Sequence, residues 1–264
     1  MENNITFLAI GTDPEAFLYD MDGKPISSVG LIGGSKAFPK FFDEDGYAVQ
    51  EDNVTVEFNV PPSRSEDEFV AVINKAKTLV SGVLPKGLKM VFNPSEMFTD
   101  EQLDNEQAQE FGCSPDFNAW KREMNPRPDA HTNLRSAGGH IHVSYDPENM
   151  DTTLELIKYM DLYLSVPAVL LDIDTRRKQL YGKAGAFRFT SWGLEYRSLS
   201  NFWLQTDESI KMVFRQTQRA IEAYNQVGHS YFLDNQRLSD EVIECINTNN
   251  ADMANSLIKR LAII

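Results

Sequence analysis

The chain has 264 residues, of which 42% are hydrophobic and 24% charged, the proportions of an ordinary soluble globular protein. With 39 acidic against 25 basic residues its formal net charge is −14, which repels nucleic acid and anionic membrane at long range. A polyphosphate would therefore have to be held locally, by bound cations and placed arginines. Cys113 and Cys245 make neither a disulfide framework nor a zinc-type spacing, and Met1 to Thr6 has no basic start or apolar run of a secretion signal. A reducing cytoplasm is the expected location.

In chain order, 5–10 and 15–19 read as strands, followed by an Asp22-Gly23 turn and a short strand near Pro25–Ser28. Gly30 to Lys36 is a glycine-rich loop. Residues 53–60 alternate strictly and stop at Pro61-Pro62, since proline cannot donate to a ladder. Ser65 and Glu68 predict a capping box ahead of a helix carrying Phe69, Ile73, Ala76 and Val80 on one stripe. A strand at Lys89–Phe92 and a polar helix over 100–110 come next, then an irregular stretch over 111–136. A strand over 139–145 leads to a helix capped by Asp151, and the apolar run from Leu154 to Leu171 reads as a buried helix. Its charged residues and Pro167 rule out a membrane span. Strands near 185–190 and 193–199 flank a tight turn, and the last third is helical over 207–227, 239–247 and 251–261. Hairpin-like strand groups interleaved with helices predict one α+β domain over 1–264, a mainly antiparallel sheet with helices on one face.

Several short segments place two polar side chains two residues apart between apolar neighbours. Glu57 and Asn59, His140 and His142, and Glu195 and Arg197 each share a strand face, because residues i and i+2 of a strand point the same way. Asp13 and Glu15 flank Pro14 at the end of the first strand. Taken singly, an outward Glu reads as solvated, and Glu195-Tyr196-Arg197 as a cross-strand ion pair. Together they predict one polar wall. Carboxylates suit Mg²⁺, an imidazole admits Mn²⁺, and arginines beside them stabilise a transferring phosphoryl group. Arg188 and Arg197 lie on neighbouring strands and are placed to reach one phosphate, with Arg176-Arg177 and Lys183 as further cations. No phosphate-cradling Walker loop or kinase signature is present.

Gly138-Gly139-His140-Ile141-His142-Val143-Ser144 resembles the glycine-rich His-x-His strand of glutamine synthetases, and Glu195-Tyr196-Arg197 their Glu-x-Arg strand. Asp13-Pro14-Glu15 and Val56-Glu57-Phe58-Asn59-Val60-Pro61 resemble the early acidic strands of glutamate–cysteine ligases. With Gly112-Cys113-Ser114-Pro115-Asp116, Leu134 to Gly138 and Leu180 to Gly185, the ordered set resembles the phage-encoded carboxylate–amine ligase type 2 family over about residues 10 to 205. That resemblance implies a glutamine synthetase-like funnel of antiparallel strands holding ATP and Mg²⁺. It implies Glu15, Glu57, His140 and Glu195, with Asp13, as cation ligands, and Arg188, Arg197 and His142 as catalytic groups at the γ-phosphate. Arg176, Arg177, Lys183 and Asn59 are the further ATP contacts. Asp116, Asn118, Arg135 and Lys36 are candidates for reading the acid or the amine.

The expected activity joins a carboxylate to an amine through an acyl phosphate, in the cytoplasm, of the host if the chain is phage-encoded. The C-terminal stripe serves as core or as a contact between copies. The rivals are a phosphagen-kinase-like phosphotransferase on the same fold, a metal oxygenase built on His140 and His142, and an inactive nucleotide- or peptide-binding module. His131 and His229 read as structural.

Overall fold

The computed structural model describes residues 4–42, 45–109, 116–126, 132–146, 149–228 and 230–263. His131, His229 and Cys113 lie outside them, with most of the Gly112 to Asp116 motif.

The first strand hands the chain from one sheet to another. β1 (Thr6–Thr12) pairs with β12 (Ile141–Asp146), then Asp13-Pro14 intervenes, and β2 (Glu15–Tyr19) enters a second sheet. The other strands are β3 (Pro25–Ile26), β4 (Lys40–Phe41), β5 (Ala48–Asp52), β6 (Thr55–Asn59), β7 (Lys89–Val91), β8 (Ser95–Met97), β9 (Phe117–Asn118), β10 (Glu123–Met124), β11 (Leu134–Ser136), β13 (Ala186–Thr190) and β14 (Gly193–Tyr196). The first sheet runs β1-β12-β14-β13-β9-β10; the second runs β3-β2-β6-β5-β4, with β7 also on β2. Strands β8 and β11 form a separate pair. Every pairing is antiparallel. A mixed structure with an antiparallel sheet is what the spacing of strands and helices predicts.

The helices are α1 (Glu66–Val83), α2 (Asp100–Leu103), α3 (Glu106–Gln109), α4 (Met150–Met160), α5 (Val166–Leu171), α6 (Asp207–Val227), α7 (Tyr231–Asp234), α8 (Gln236–Thr248) and α9 (Ala251–Leu261). The apolar stripe of α6, Ile210, Val213, Phe214, Ala220 and Ile221, packs against α1 and α4. One face of the first sheet joins the same core through Ile10, Ile141, Val143, Phe187, Leu194 and Tyr196. Each fully buried side chain of this size contributes on the order of 2 kcal/mol. With that face committed to the helices, strand alternation turns the residues between them to the opposite side.

Four local expectations change. The polar helix over 100–110 is two single turns, α2 and α3, separated at Asp104-Asn105. Asn149, not Asp151, caps α4, because its side chain accepts from the Thr152 N–H. Ser65 accepts the Glu68 N–H as expected, but the Glu68 carboxylate turns back to the Arg64 N–H at 2.6 Å, one residue before the cap. The apolar run from Leu154 is broken into α4, one wider π turn over Asp161–Ser165, and α5, which begins beside Pro167. The wider turn aims Asp161 at the back of the sheet. Asp161 accepts from the Tyr196 hydroxyl, the Trp120 indole and the Gly185 N–H, each at 2.6 Å.

Candidate active site

Two rows of side chains follow from the ladders. In the first sheet Arg188, Glu195, His142 and Gly11 stand in register across β13, β14, β12 and β1. In the second, Glu15, Glu57 and Gln50 stand in register across β2, β6 and β5. Asp13 sits where the chain crosses between them. Residues two along each strand, His140, Arg197 and Asp52, share these faces.

The first row closes on Asp13. Its Oδ1 lies 3.3 Å from His140 Nδ1 and 3.1 Å from His142 Nε2, and His140 Nδ1 lies 3.4 Å from Glu195 Oε1. Neither Asp13 Oδ1 nor His142 Nε2 has a partner in hydrogen-bond geometry, although both atoms are buried. Burial pushes the Asp13 carboxyl up, but His142 and the contacts to both imidazoles outweigh it and hold the group well below its usual range. Asp13 in turn lifts His142 against its own burial. Arg188 lies 3.2 Å from Glu195 Oε2, while Arg197 pairs with Oε1 and also donates to Asp116 at 2.5 Å. Glu195 is held below its usual range: burial and Asp13 oppose ionisation, and Arg197 with its neighbours prevails.

The second row gathers Glu15, Glu57 and Asp52, with carboxylate oxygens within 4.8 Å of one another. Burial raises Glu15 and raises Glu57 further, the latter helped by the charges of Asp13 and Asp52. Gly138 N–H donates to Glu15 at 2.7 Å and the Gln50 amide to Glu57 at 2.9 Å. Lys36 reaches Asp52 at 3.1 Å and Glu57 at 3.9 Å from the rim. These partners do not neutralise two buried carboxylates and a half-buried third. The oxygen-rich donor set fits a hard divalent cation, and the Asp13, His140 and Glu195 set, with one imidazole, also fits manganese.

The glycines before His140 are there for space. A Cβ on Gly138 would stand 2.4 Å from His140 Nε2, and one on Gly139 would stand 2.6 Å from the Ser200 carbonyl. His140 thus occupies volume that a side chain would claim.

A cavity opens between the rows, lined by Glu15, Asp52, Asp116, His140, Arg135, Arg177, Tyr181 and Arg197. Arg177 is buried, donates to the Ser198 carbonyl at 3.1 Å, and leaves its Nε without a hydrogen bond. Arg135 spends donors on the carbonyls of Ala108, Thr132 and Leu134.

Thus Asp13, Glu15, Glu57, His140, His142, Glu195, Arg188, Arg197 and Asp116 converge, with Arg135, Arg177 and Lys36 around them and Asn59 in an adjoining groove. Three candidates stand elsewhere. Arg176 is taken up by Asp174 and the Ser95 carbonyl, and lines neither cavity. Lys183 lines neither. Asn118 is a turn clamp: its Oδ1 accepts from the Trp120 and Lys121 N–H groups, and its amide donates to Asn125 and Ala184. The glycine-rich loop gives the amides of Gly30, Ile32 and Gly33 to Glu51, so they are not offered to a phosphate. Asp52 and Gln50 were the residues missed. Their strand, β5, has a weak apolar pattern, yet Asp52-Asn53 is a turn signal, and Asn53 takes the left-handed conformation (φ 57°) of a hairpin joining β5 to β6.

Residues 130–242 match the model of the phage phiEco32-like COOH.NH2 ligase-type 2 family. The match is to the family that the motifs suggest, over the part of the chain that carries the His-x-His and Glu-x-Arg strands. It spans His140, His142, Arg188, Glu195 and Arg197; the acidic residues of β2, β5 and β6 lie before it. A crystal structure of a bifunctional glutathione synthetase from Pasteurella multocida aligns with TM-score 0.46 at 13% identity, covering 96% of this chain and 47% of that one. The chain thus spans about half the length of that protein. No protein of curated function matches it by sequence. Among the described residues, no helix is long and apolar enough to cross a membrane.

Proposed function

We propose that the chain is one catalytic unit that joins a carboxylate to an amine at the expense of ATP, on a glutamine synthetase-like sheet. The observation that carries the reading is the convergence of two carboxylate clusters with Arg188 and Arg197 on one wall. Asp13, His140 and Glu195 would hold one divalent cation, Mg²⁺ or Mn²⁺, and Glu15, Asp52 and Glu57 another. Such ions would neutralise phosphate oxygens beside buried carboxylates. Arg197 and Arg188, positioned by the two oxygens of Glu195, would place their positive charge beside the γ-phosphate, where negative charge grows during transfer. His142 would stand next to the same phosphate.

A carboxylate is a poor electrophile. Its oxygen would attack the γ-phosphorus and ADP would leave; the amine would then attack the acyl carbon of the acyl phosphate so formed, and the amide would close as inorganic phosphate and the amine's proton depart. The protein's part is placement and charge balance. The arginine-lined cavity, with Arg177 and Asp116 in its wall, would seat the acid, and Lys36 stands behind it on Asp52.

Release of ADP and phosphate against panels of acids and amines tests this, with Glu57→Ala and Arg197→Ala as controls. Turnover unaffected by both would refute the site. A phosphagen-kinase-like transfer would give the same ADP but a phosphorylated product by mass.

A further inference from the structure

A second cavity, of about 440 Å³, adjoins the site without entering the proposed chemistry. Its walls include Val60, Pro62 and Trp192, with the Asn59 amide among them, and it reaches Asp13 and His142. Trp192 stands in the turn between β13 and β14, 39% exposed, and its ring lies 4.9 Å from the His142 imidazole at 45°. The chain's other two tryptophans are engaged: Trp203 is fully buried and the Trp120 indole donates to Asp161.

We propose that this groove seats the nucleoside of the triphosphate, with Trp192 as the surface on which the base stacks; the inference rests on the ATP-dependent ligase reading. The volume falls in the range of small-molecule sites, and the mixture of apolar wall and a few polar groups is what such sites show. The occupant follows from what the groove shares with its neighbour. Asp13 belongs both to the groove and to the cluster with His140 and Glu195, so a ligand lying in the groove ends against the proposed cation. A molecule that is flat and apolar at one end and polyanionic at the other satisfies both halves. The other cavity offers three arginines and three carboxylates, a poor bed for an uncharged ring and a good one for a small charged acid. The groove gives the Asn59 amide a base or ribose edge to meet.

Calorimetric titration of the purified chain with Mg²⁺-ATP and with Mg²⁺-tripolyphosphate decides it, using wild type, Trp192→Ala and Trp192→Phe. Wild type is expected to bind ATP more tightly than tripolyphosphate. Trp192→Ala is expected to weaken ATP by about tenfold, as loss of a base-stacking ring does, and to leave tripolyphosphate unchanged. Trp192→Phe should retain most of the ATP affinity, which separates stacking from a folding defect. Tryptophan fluorescence of wild type should change on ATP addition, and that change should be absent in Trp192→Phe. ATP binding that is equal in wild type and Trp192→Ala overturns the groove alone, as does an ATP affinity no greater than that of tripolyphosphate. Failure of both ligands to bind wild type removes the ATP reading and the groove with it. An apolar acid whose binding, in place of ATP, depends on Trp192 would reassign the groove to that substrate.

Discussion

Glu15 and Glu57 stand directly opposite each other across the β2–β6 ladder, both buried. Like charges in that relation destabilise a sheet, and burial raises both carboxyls, so without a cation the pair is eased by holding protons that a bound cation would displace. Lys36 approaches from an exposed position and reaches Glu57 only at 3.9 Å. Glu57→Gln should therefore stabilise the cation-free protein, by about 1 kcal/mol, while shrinking the rise in melting temperature that Mg²⁺ or Mn²⁺ produces in wild type. Differential scanning fluorimetry with and without EDTA reads both effects. A variant that loses stability without metal and keeps the full metal response would contradict the cluster's role.

Arg197 is 3% exposed and spans Glu195 and Asp116. Its replacement by Lys keeps the charge but loses the planar fork that meets two carboxylates at once. The expected result is a fall in turnover of about 100-fold or more, the order seen when one preorganised donor is removed. Steady-state ADP release measures it, with circular dichroism confirming that the fold survives.

Gly138→Ala offers a subtler probe of the same wall. The new methyl group would stand 2.4 Å from His140 Nε2, so the imidazole must swing away from Asp13 and Glu195. The sheet should remain, because the obstructed group is a side chain. Manganese affinity should drop by roughly 10- to 100-fold, the range typical of a disturbed ligand-supporting contact. Titration of Mn²⁺ by electron paramagnetic resonance gives the number. Unchanged affinity would remove His140 from the ligand set.

A pH signature belongs to Asp161, away from the proposed cations. Burial raises its carboxyl from 3.8 to about 6, against the pull of the Tyr196, Trp120 and Gly185 donors. A carboxyl whose folded value is raised holds its proton longer in the native state, so it contributes most below the unfolded value. That contribution fades as pH climbs through about 6. Asp161→Asn should remove this downward slope between about pH 4 and 6. It should also lower stability overall by about 2 kcal/mol, since an amide cannot accept from all three donors. Urea midpoints across that pH range show whether the two slopes differ.

The motifs read from the sequence were those with a strict two-residue period. The alternation around Glu57, His140 and Glu195 announced strand and face together, because apolar residues between them had to enter the core. Asp52 escaped because Glu51, its neighbour, is itself buried under the loop amides of Gly30, Ile32 and Gly33, which erases the polar–apolar contrast. Asn118 and Arg176 misled for the opposite reason. Both are polar and conspicuous, but local backbone groups and Asp174 absorb them, and no periodicity reports such a partner. Trp192 was visible only as a turn residue, since its contact with His142 depends on the hairpin's tertiary setting.

The passage of one strand from sheet to sheet at Asp13-Pro14 carries a mechanical implication. Asp13 belongs to one charge centre and Glu15 to the other, and consecutive extended residues span about 3.3 Å each, so the two anchors are tethered at roughly 7 Å. Proline at the joint restricts the dihedral that would let this distance breathe. The Glu15 N–H on the Gly138 carbonyl and the Phe58 N–H on the Pro14 carbonyl clamp that dipeptide from both sides, so the separation of the two anionic foci is set by the covalent chain itself.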